Sequence, residues 1–153
     1  MLPKTHIIMG GIASIILFLL FPHFFTLFYA FIVFLSSVLI DFDHYIYYAV
    51  KKKDLSLAKA YKWFVSKSDI WKNLSQNERK EYKKDILIFH GFECWLLLIL
   101  LIYISPLFLF ILIGIFIHML FDFIDLYIHR YSPGHKVSQI YTHIRNKKKK
   151  ELG

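Results

Sequence analysis

Residues Leu107–Ile128 read LFLFILIGIFIHMLFDFIDLYI, an apolar run of 22 residues in which His118, Asp122 and Asp125 are the ionisable exceptions. A bilayer core about 30 Å thick needs roughly 20 helical residues to cross it, so this run is long enough to span. All three exceptions fall in its second half. An ionisable group deep in a membrane helix costs about 2.5–3.5 kcal/mol on insertion scales, so such residues call for a compensating partner.

Three further apolar stretches accompany it: Ile7–Phe21 (15 residues), Phe24–Ile40 (17 residues) and Ile86–Ser105 (20 residues). The first reaches spanning length only with Thr5, His6 and the turn at Pro22 included. Pro22-His23 separates the first pair and Ser105-Pro106 the second. Proline in such short breaks fits a helix end followed by a tight turn. The expected fold is all-α: an integral membrane bundle of four transmembrane helices in two hairpins, forming a single domain over 1–153.

Charge supports the same topology from different residues. Of 19 Lys and Arg, one precedes the first span (Lys4), eleven lie from Lys51 to Lys84 and seven follow from Arg130; neither hairpin turn has any. The positive-inside rule then places both termini and the central loop in the cytoplasm, in a cell or inner membrane. The net charge of +8 is explained by such flanking segments, which also touch anionic lipid heads, so no nucleic-acid partner is expected. The basic tail over 130–153, ending in Lys147-Lys148-Lys149-Lys150, is expected to be disordered and lipid-facing. No small-residue cleavage site follows the first apolar stretch, which argues against a signal peptide over residues 1–25. Cys94, the sole cysteine, lies in a predicted span and reads as core packing.

Residues 51–85 form the one sizeable polar insertion. Leu55, Leu57, Ala58, Tyr61, Phe64 and Val65 recur at helical spacing. Ser75-Gln-Asn-Glu78 matches a capping box. A second short helix from about Gln76 is expected to run into the third span. These cytoplasmic helices should lie on the membrane, with Trp63, Trp71 and Tyr82 at headgroup depth. Gly10, Gly11, Ala13, Ser14, Gly91 and Gly114 are small enough to permit close helix approach.

The topology brings polar groups from all four spans to the cytoplasmic face: His6; Asp41, Asp43 and His44; His90 and Glu93; His118 and Asp122. His118 and Asp122 are four apart, hence on one helix face, with Asp125 extending it. His90 and Glu93, like Asp41 and His44, are three apart and project together if helical. Two donors per turn from several helices is how a bundle builds a metal site. Imidazole and carboxylate suit zinc first, with manganese or iron as alternatives. The donor count exceeds one four-coordinate zinc, so one or two ions are expected. His23, His129, His135 and His143 read as solvated or headgroup-contacting.

The order of these segments resembles a membrane-bound, metal-dependent hydrolase family of bacterial inner membranes and archaea. The matching segments are Thr5-His6-Ile-Ile-Met-Gly10, Leu39-Ile-Asp41-Phe-Asp43-His44, Phe89-His90-Gly91 and His118-Met-Leu-Phe-Asp122. The family is itself similar in motif order to the all-helical zinc-dependent phospholipases C. The resemblance implies metal ligation by His6, Asp41 or Asp43, His44, His90, His118 and Asp122. Two departures are visible: Ile40 stands where many relatives have proline, and Phe92-Glu93 where a Thr-His pair often follows His-Gly. Glu93 would then replace a ligand or act as a base.

The expected activity is metal-dependent hydrolysis, a phosphoesterase acting on a lipid or lipid-linked phosphate at the cytoplasmic leaflet. Asp43 or Glu93 would serve as general base, and Lys51, Lys52, Lys53 or Lys136 would hold a phosphate headgroup. The alternative from another class is a non-catalytic metal-binding or metal-transporting membrane protein. Transport needs a polar path, and the outer halves of the spans carry no acidic or basic residue. A di-iron oxidase would carry more clustered histidines, and a purely structural lipid-binding protein would show no dependence on metal.

Overall fold

The computed structural model describes residues 3–131 and 134–151, without the side chains of Pro3, Gly134 and His135, so the expectation for His135 lies outside the described residues. The fold is all-helical, and no strand occurs among the described residues. The chain divides into two compact units, Met1–Asp41 with Phe92–Pro133, and Phe42–Gly91 with Gly134–Gly153.

The first unit packs four helices: α1 (Pro3–Leu20), α2 (Leu27–Leu39), α6 (Phe92–Ile102) and α7 (Leu107–Ile128). Helix α2 contacts α1 and α7, and α7 contacts α1 and α6. Thr26 caps α2 by accepting the amide of Tyr29, and Pro106 stands at the N-cap of α7. Phe25, Val33 and Phe110 form the core, with the Tyr29 ring stacked on Phe110 at 3.9 Å.

Polar side chains share the interior of this unit with its apolar core, and apolar ones also face outward. The buried residues include His6, Ser14, Ser37, His118 and Asp122, while Ile8, Ile15, Leu19 and Leu20 of α1 and Leu96, Leu97 and Leu100 of α6 face outward. Among the described residues, two helical stretches are long and apolar enough to cross a membrane: Leu27–Lys52, 26 residues including the turn at Ile40-Asp41, and Leu107–Ile128. The third expected span is shorter than its sequence implies. Its helix starts at Phe92, not Ile86, and has 11 residues, about 16 Å against the roughly 30 Å of a bilayer core.

Close approach explains two of the small residues. A Cβ at Gly114 would collide with the Val33 carbonyl and the Ser36 hydroxyl, and one at Gly10 with the Ser37 hydroxyl. At Gly11 the nearest atom would be the Phe34 ring at an ordinary 3.7 Å.

The second unit contains α3 (Phe42–Lys52), α4 (Leu57–Asn73), α5 (Gln76–Arg79), a 3-10 turn at Ile88–His90, α8 (Gly134–Val137) and α9 (Gln139–Asn146). The expected capping box is present in full: the Ser75 hydroxyl accepts the Glu78 amide and the Glu78 carboxylate accepts the Ser75 amide. The helix it opens lasts only four residues and does not run into α6.

Instead, residues 81–87 are tied to the C-terminal segment, which is ordered rather than disordered. The Lys150 amide donates to Glu81 and the Lys83 amide to Lys150. The Asn146 side chain bonds both the amide and the carbonyl of Lys84. Gln139 accepts the Leu87 amide at 2.9 Å. Glu151 bridges Lys51 at 2.5 Å and Lys83 at 2.8 Å, which draws its pKa down to about 2. Lys51 is therefore engaged by the tail and does not stand ready for a headgroup.

Gly114→Ala should destabilise the protein by about 1–3 kcal/mol through overpacking against rigid backbone, whereas Gly11→Ala should be neutral or better. Thermal unfolding in detergent compares them; equal midpoints would show that α7 does not depend on this contact.

Candidate metal centres

His6, on the first turns of α1, meets His118 and Asp122, one turn apart on α7. All three are 3% exposed or less. His6 Nε2 lies 3.4 Å from Asp122 Oδ1 and His118 Nε2 lies 3.4 Å from Asp122 Oδ2. Asp41 Oδ1 lies 3.5 Å from His118 Nε2. The two imidazoles stack with centroids 4.0 Å apart.

His118 Nδ1 is 2.8 Å from the Ser37 carbonyl oxygen. A carbonyl only accepts, so Nδ1 carries the proton and Nε2 presents its lone pair toward the carboxylates. A histidine fixed in this way by its other nitrogen is the usual arrangement of a metal ligand. His6 Nδ1 is buried without a hydrogen-bond partner.

The spacing also fits. Zinc bonds to nitrogen and oxygen of about 2.0–2.1 Å put adjacent corners of a tetrahedron about 3.3–3.4 Å apart. The 3.4 and 3.5 Å separations around His118 Nε2 match that edge. His6, His118 and Asp122 form a group whose donor atoms lie within 4.8 Å of one another and could hold a metal ion.

In the second unit, Asp43, His44 and His90 form a group that meets the same condition. His90 Nδ1 lies 2.9 Å from Asp43 Oδ2, and both residues are buried. The Phe89 amide donates to the same oxygen at 3.1 Å. The carboxylate thus caps the 3-10 turn and holds the proton on Nδ1, leaving the Nε2 lone pair for a ligand. Asp43 Oδ1 is buried with no hydrogen-bond partner. The His44 ring meets His90 edge-to-face at 5.3 Å and Phe64 at 5.0 Å.

Two expected pairings do not form as written. His90 closes a 3-10 turn and Gly91 is extended, so His90 and Glu93 do not share a helix. Glu93 opens α6 half-buried and belongs to neither group. Asp41 sits in the turn between α2 and α3, so it and His44 do not share one either. Asp125 is paired with His129 at 3.5 Å and lies outside both groups. Sequence reading missed the Ser37 carbonyl and the Phe89 amide, backbone partners that no side-chain pattern announces.

No family profile, curated protein or solved structure matches this chain.

Asp43→Ala should destabilise the protein by about 1–3 kcal/mol, because it strands a buried imidazole N–H and a backbone amide. Asp43→Asn, whose amide oxygen still accepts, should lose less. Denaturant unfolding separates them, and an undiminished Ala variant would mean the carboxylate does not hold the turn.

Proposed function

We propose that the protein is a membrane-embedded, metal-dependent hydrolase that binds zinc through its buried His/Asp groups and acts on an amphiphilic phosphoester. The observation that carries this reading is the buried His6–His118–Asp122 group, whose donor atoms lie within 4.8 Å of one another, with His118 oriented by the Ser37 carbonyl. The exposed isoleucines, leucines and phenylalanines of the first unit support placement in hydrocarbon, because an apolar surface this extensive is unfavourable in water. The charge asymmetry supports four crossings with both termini cytoplasmic, the short α6 being the least regular of them.

Zinc held by these donors supplies a water with pKa lowered to about 7 and a Lewis acid for a phosphoryl oxygen. The chain's own groups do the rest. Ser37 fixes the tautomer and direction of His118, and Asp43 does so for His90. Asp43 Oδ1, buried and not hydrogen-bonded, is the acceptor for the proton that hydrolysis removes from water. Asp41 supplies a fourth donor beside His118. Glu93, outside both groups, is not assigned a step. An apolar groove of about 300 Å³ lined by Gly11, Ser14, Ile15, Phe18, Ala30 and Phe34 is suited to a hydrocarbon chain rather than a polar metabolite. The motif order that resembles membrane-bound metal-dependent hydrolases agrees with this reading.

Elemental analysis of detergent-purified protein should find stoichiometric zinc, lost from the first site in Asp122→Ala and from the second in His90→Ala at unchanged helicity. Asp43→Asn should keep its metal yet hydrolyse a lipid phosphate ester about 10²–10⁴-fold more slowly, the usual contribution of a general base. Metal lost on mutation but no hydrolysis of phosphate, ester or amide substrates would leave a non-catalytic metal-binding protein. A protein that takes up no ion even when ions are added refutes the reading.

A further inference from the structure

Between the end of α5 and the 3-10 turn that carries His90, residues 83–87 belong to neither helix nor sheet. The backbone groups of such a segment must find partners elsewhere. Helix α9 supplies them from side chains. The Asn146 side-chain oxygen accepts the Lys84 amide at 3.0 Å, and its nitrogen donates to the Lys84 carbonyl at 2.8 Å. Gln139 accepts the Leu87 amide at 2.9 Å in a buried bond.

The spacing of these contacts is matched on the two sides. Three residues of extended chain, from Lys84 to Leu87, cover about 10 Å. Seven residues of helix, from Gln139 to Asn146, also cover about 10 Å. A slip of one residue would misplace both contacts, so together they set the register of the segment against α9. Ser138 caps α9 by accepting the Tyr141 amide at 3.1 Å, which fixes where the helix begins and so where Gln139 stands. Gln139 and Asn146 are buried. A buried side-chain amide is costly unless it is hydrogen-bonded, and here hydrogen bonds run to the backbone of Lys84 and Leu87.

Leu87 joins this register to the metal group. Its carbonyl accepts the His90 amide at 3.0 Å, the bond that closes the 3-10 turn. Asp43 holds the turn from the other side, accepting the Phe89 amide at 3.1 Å and lying 2.9 Å from His90 Nδ1. The imidazole is thus held at its ring by Asp43 and, through the Leu87 backbone, by Gln139.

We propose that Gln139 and Asn146 are positioning residues for His90: by setting the register of residues 84–87, they place its Nε2 lone pair where Asp43 and His44 share a metal ion with it. This role rests on the reading of Asp43, His44 and His90 as metal donors, and it makes the C-terminal helix part of their framework. Partners that orient a ligating histidine change metal affinity about 10–100-fold when removed.

The test is titration of the detergent-purified full chain with cobalt(II), which takes the donors of zinc and absorbs visible light when bound. The absorbance lost in His90→Ala marks the ion that His90 holds. Gln139→Met keeps the length of the side chain but not its acceptor. It should weaken binding of that ion about tenfold and shift its absorption band. Gln139→Glu, whose carboxylate still accepts the Leu87 amide, should preserve both. Asn146→Asp keeps the acceptor for the Lys84 amide and loses the donor to its carbonyl. It should show a smaller loss in the same direction, and it carries the test if Gln139→Met does not fold. Ser75→Ala removes the α5 capping box in the same unit and should lower the unfolding midpoint without moving the band or the affinity. Unchanged cobalt binding in Gln139→Met and Asn146→Asp overturns the proposal. So does an equal loss in Ser75→Ala, which would make the effect one of general stability. No His90-dependent cobalt in the unaltered protein refutes the metal reading itself, and the positioning role with it.

Discussion

Gly114 lets α7 approach α2 until a Cβ would strike the Val33 carbonyl, and the His6–His118–Asp122 group depends on that contact. His118 is one turn further along the same face of α7, so the approach carries its Nδ1 to 2.8 Å from the Ser37 carbonyl. Asp122, another turn on, then reaches both His118 and His6. Gly10 does the same for α1, meeting Ser37 one turn from His6. A larger residue at either glycine would separate helices whose donors must agree to within a few tenths of an ångström. Ser14 and Ser36 return their hydroxyls to their own helices at 2.7 and 2.8 Å, so the packing faces leave no hydroxyl in need of a distant partner.

Bringing these donors together is unfavourable on its own. Buried carboxylates lose hydration, and His118, its Nδ1 proton given to the Ser37 carbonyl, turns the Nε2 lone pair toward those of Asp41 and Asp122. An arrangement of acceptors facing acceptors is stabilised by a cation and by little else available inside a low-dielectric body. The two groups resolve their orientation differently. His118 is backed by a backbone carbonyl, and His90 by a carboxylate that also holds the turn. A carboxylate makes its histidine the more basic ligand. It also ties local folding to the site, since losing Asp43 undoes both.

The parts legible in the sequence were those set by local pattern. The 22-residue run of α7 appears at its expected bounds because nothing but apolar residues and one face of polar ones fills it. The Ser75–Glu78 box appears because both partners lie within four residues. Residues 86–91 failed for the opposite reason. Their composition reads as helix, but Leu87 and Phe89 give their amides to Gln139 and Asp43, 52 and 46 residues away. Such partners satisfy the backbone outside any helix, and no periodicity encodes them. The order of the lysine tail was hidden in the same way, behind Asn146 and Glu151. Site membership followed: His6, His118 and Asp122 converge as their helix faces imply, whereas Glu93 was placed with His90 by a helical spacing that the Gly91 break removes.

Buried polar groups and exposed apolar ones occur together in both units, to different extents. In the first, α1 buries His6 and Ser14 while its isoleucines and leucines face outward, and α6 exposes leucines around a buried Leu98. In the second they meet on α9, whose buried amides serve the backbone of residues 84–87 while Ile140 and Ile144 face out. Arg145, Lys147 and Lys148 carry exposed positive charge at its C-terminal end. A body solvated by hydrocarbon needs apolar residues on all exposed sides, whereas a body at an interface needs them on one and charge beside it. On the membrane reading, one sequence thus provides for both solvents. The apolar excess that sets it apart from a soluble domain is distributed accordingly, broadly over the first unit and along a single helix face in the second.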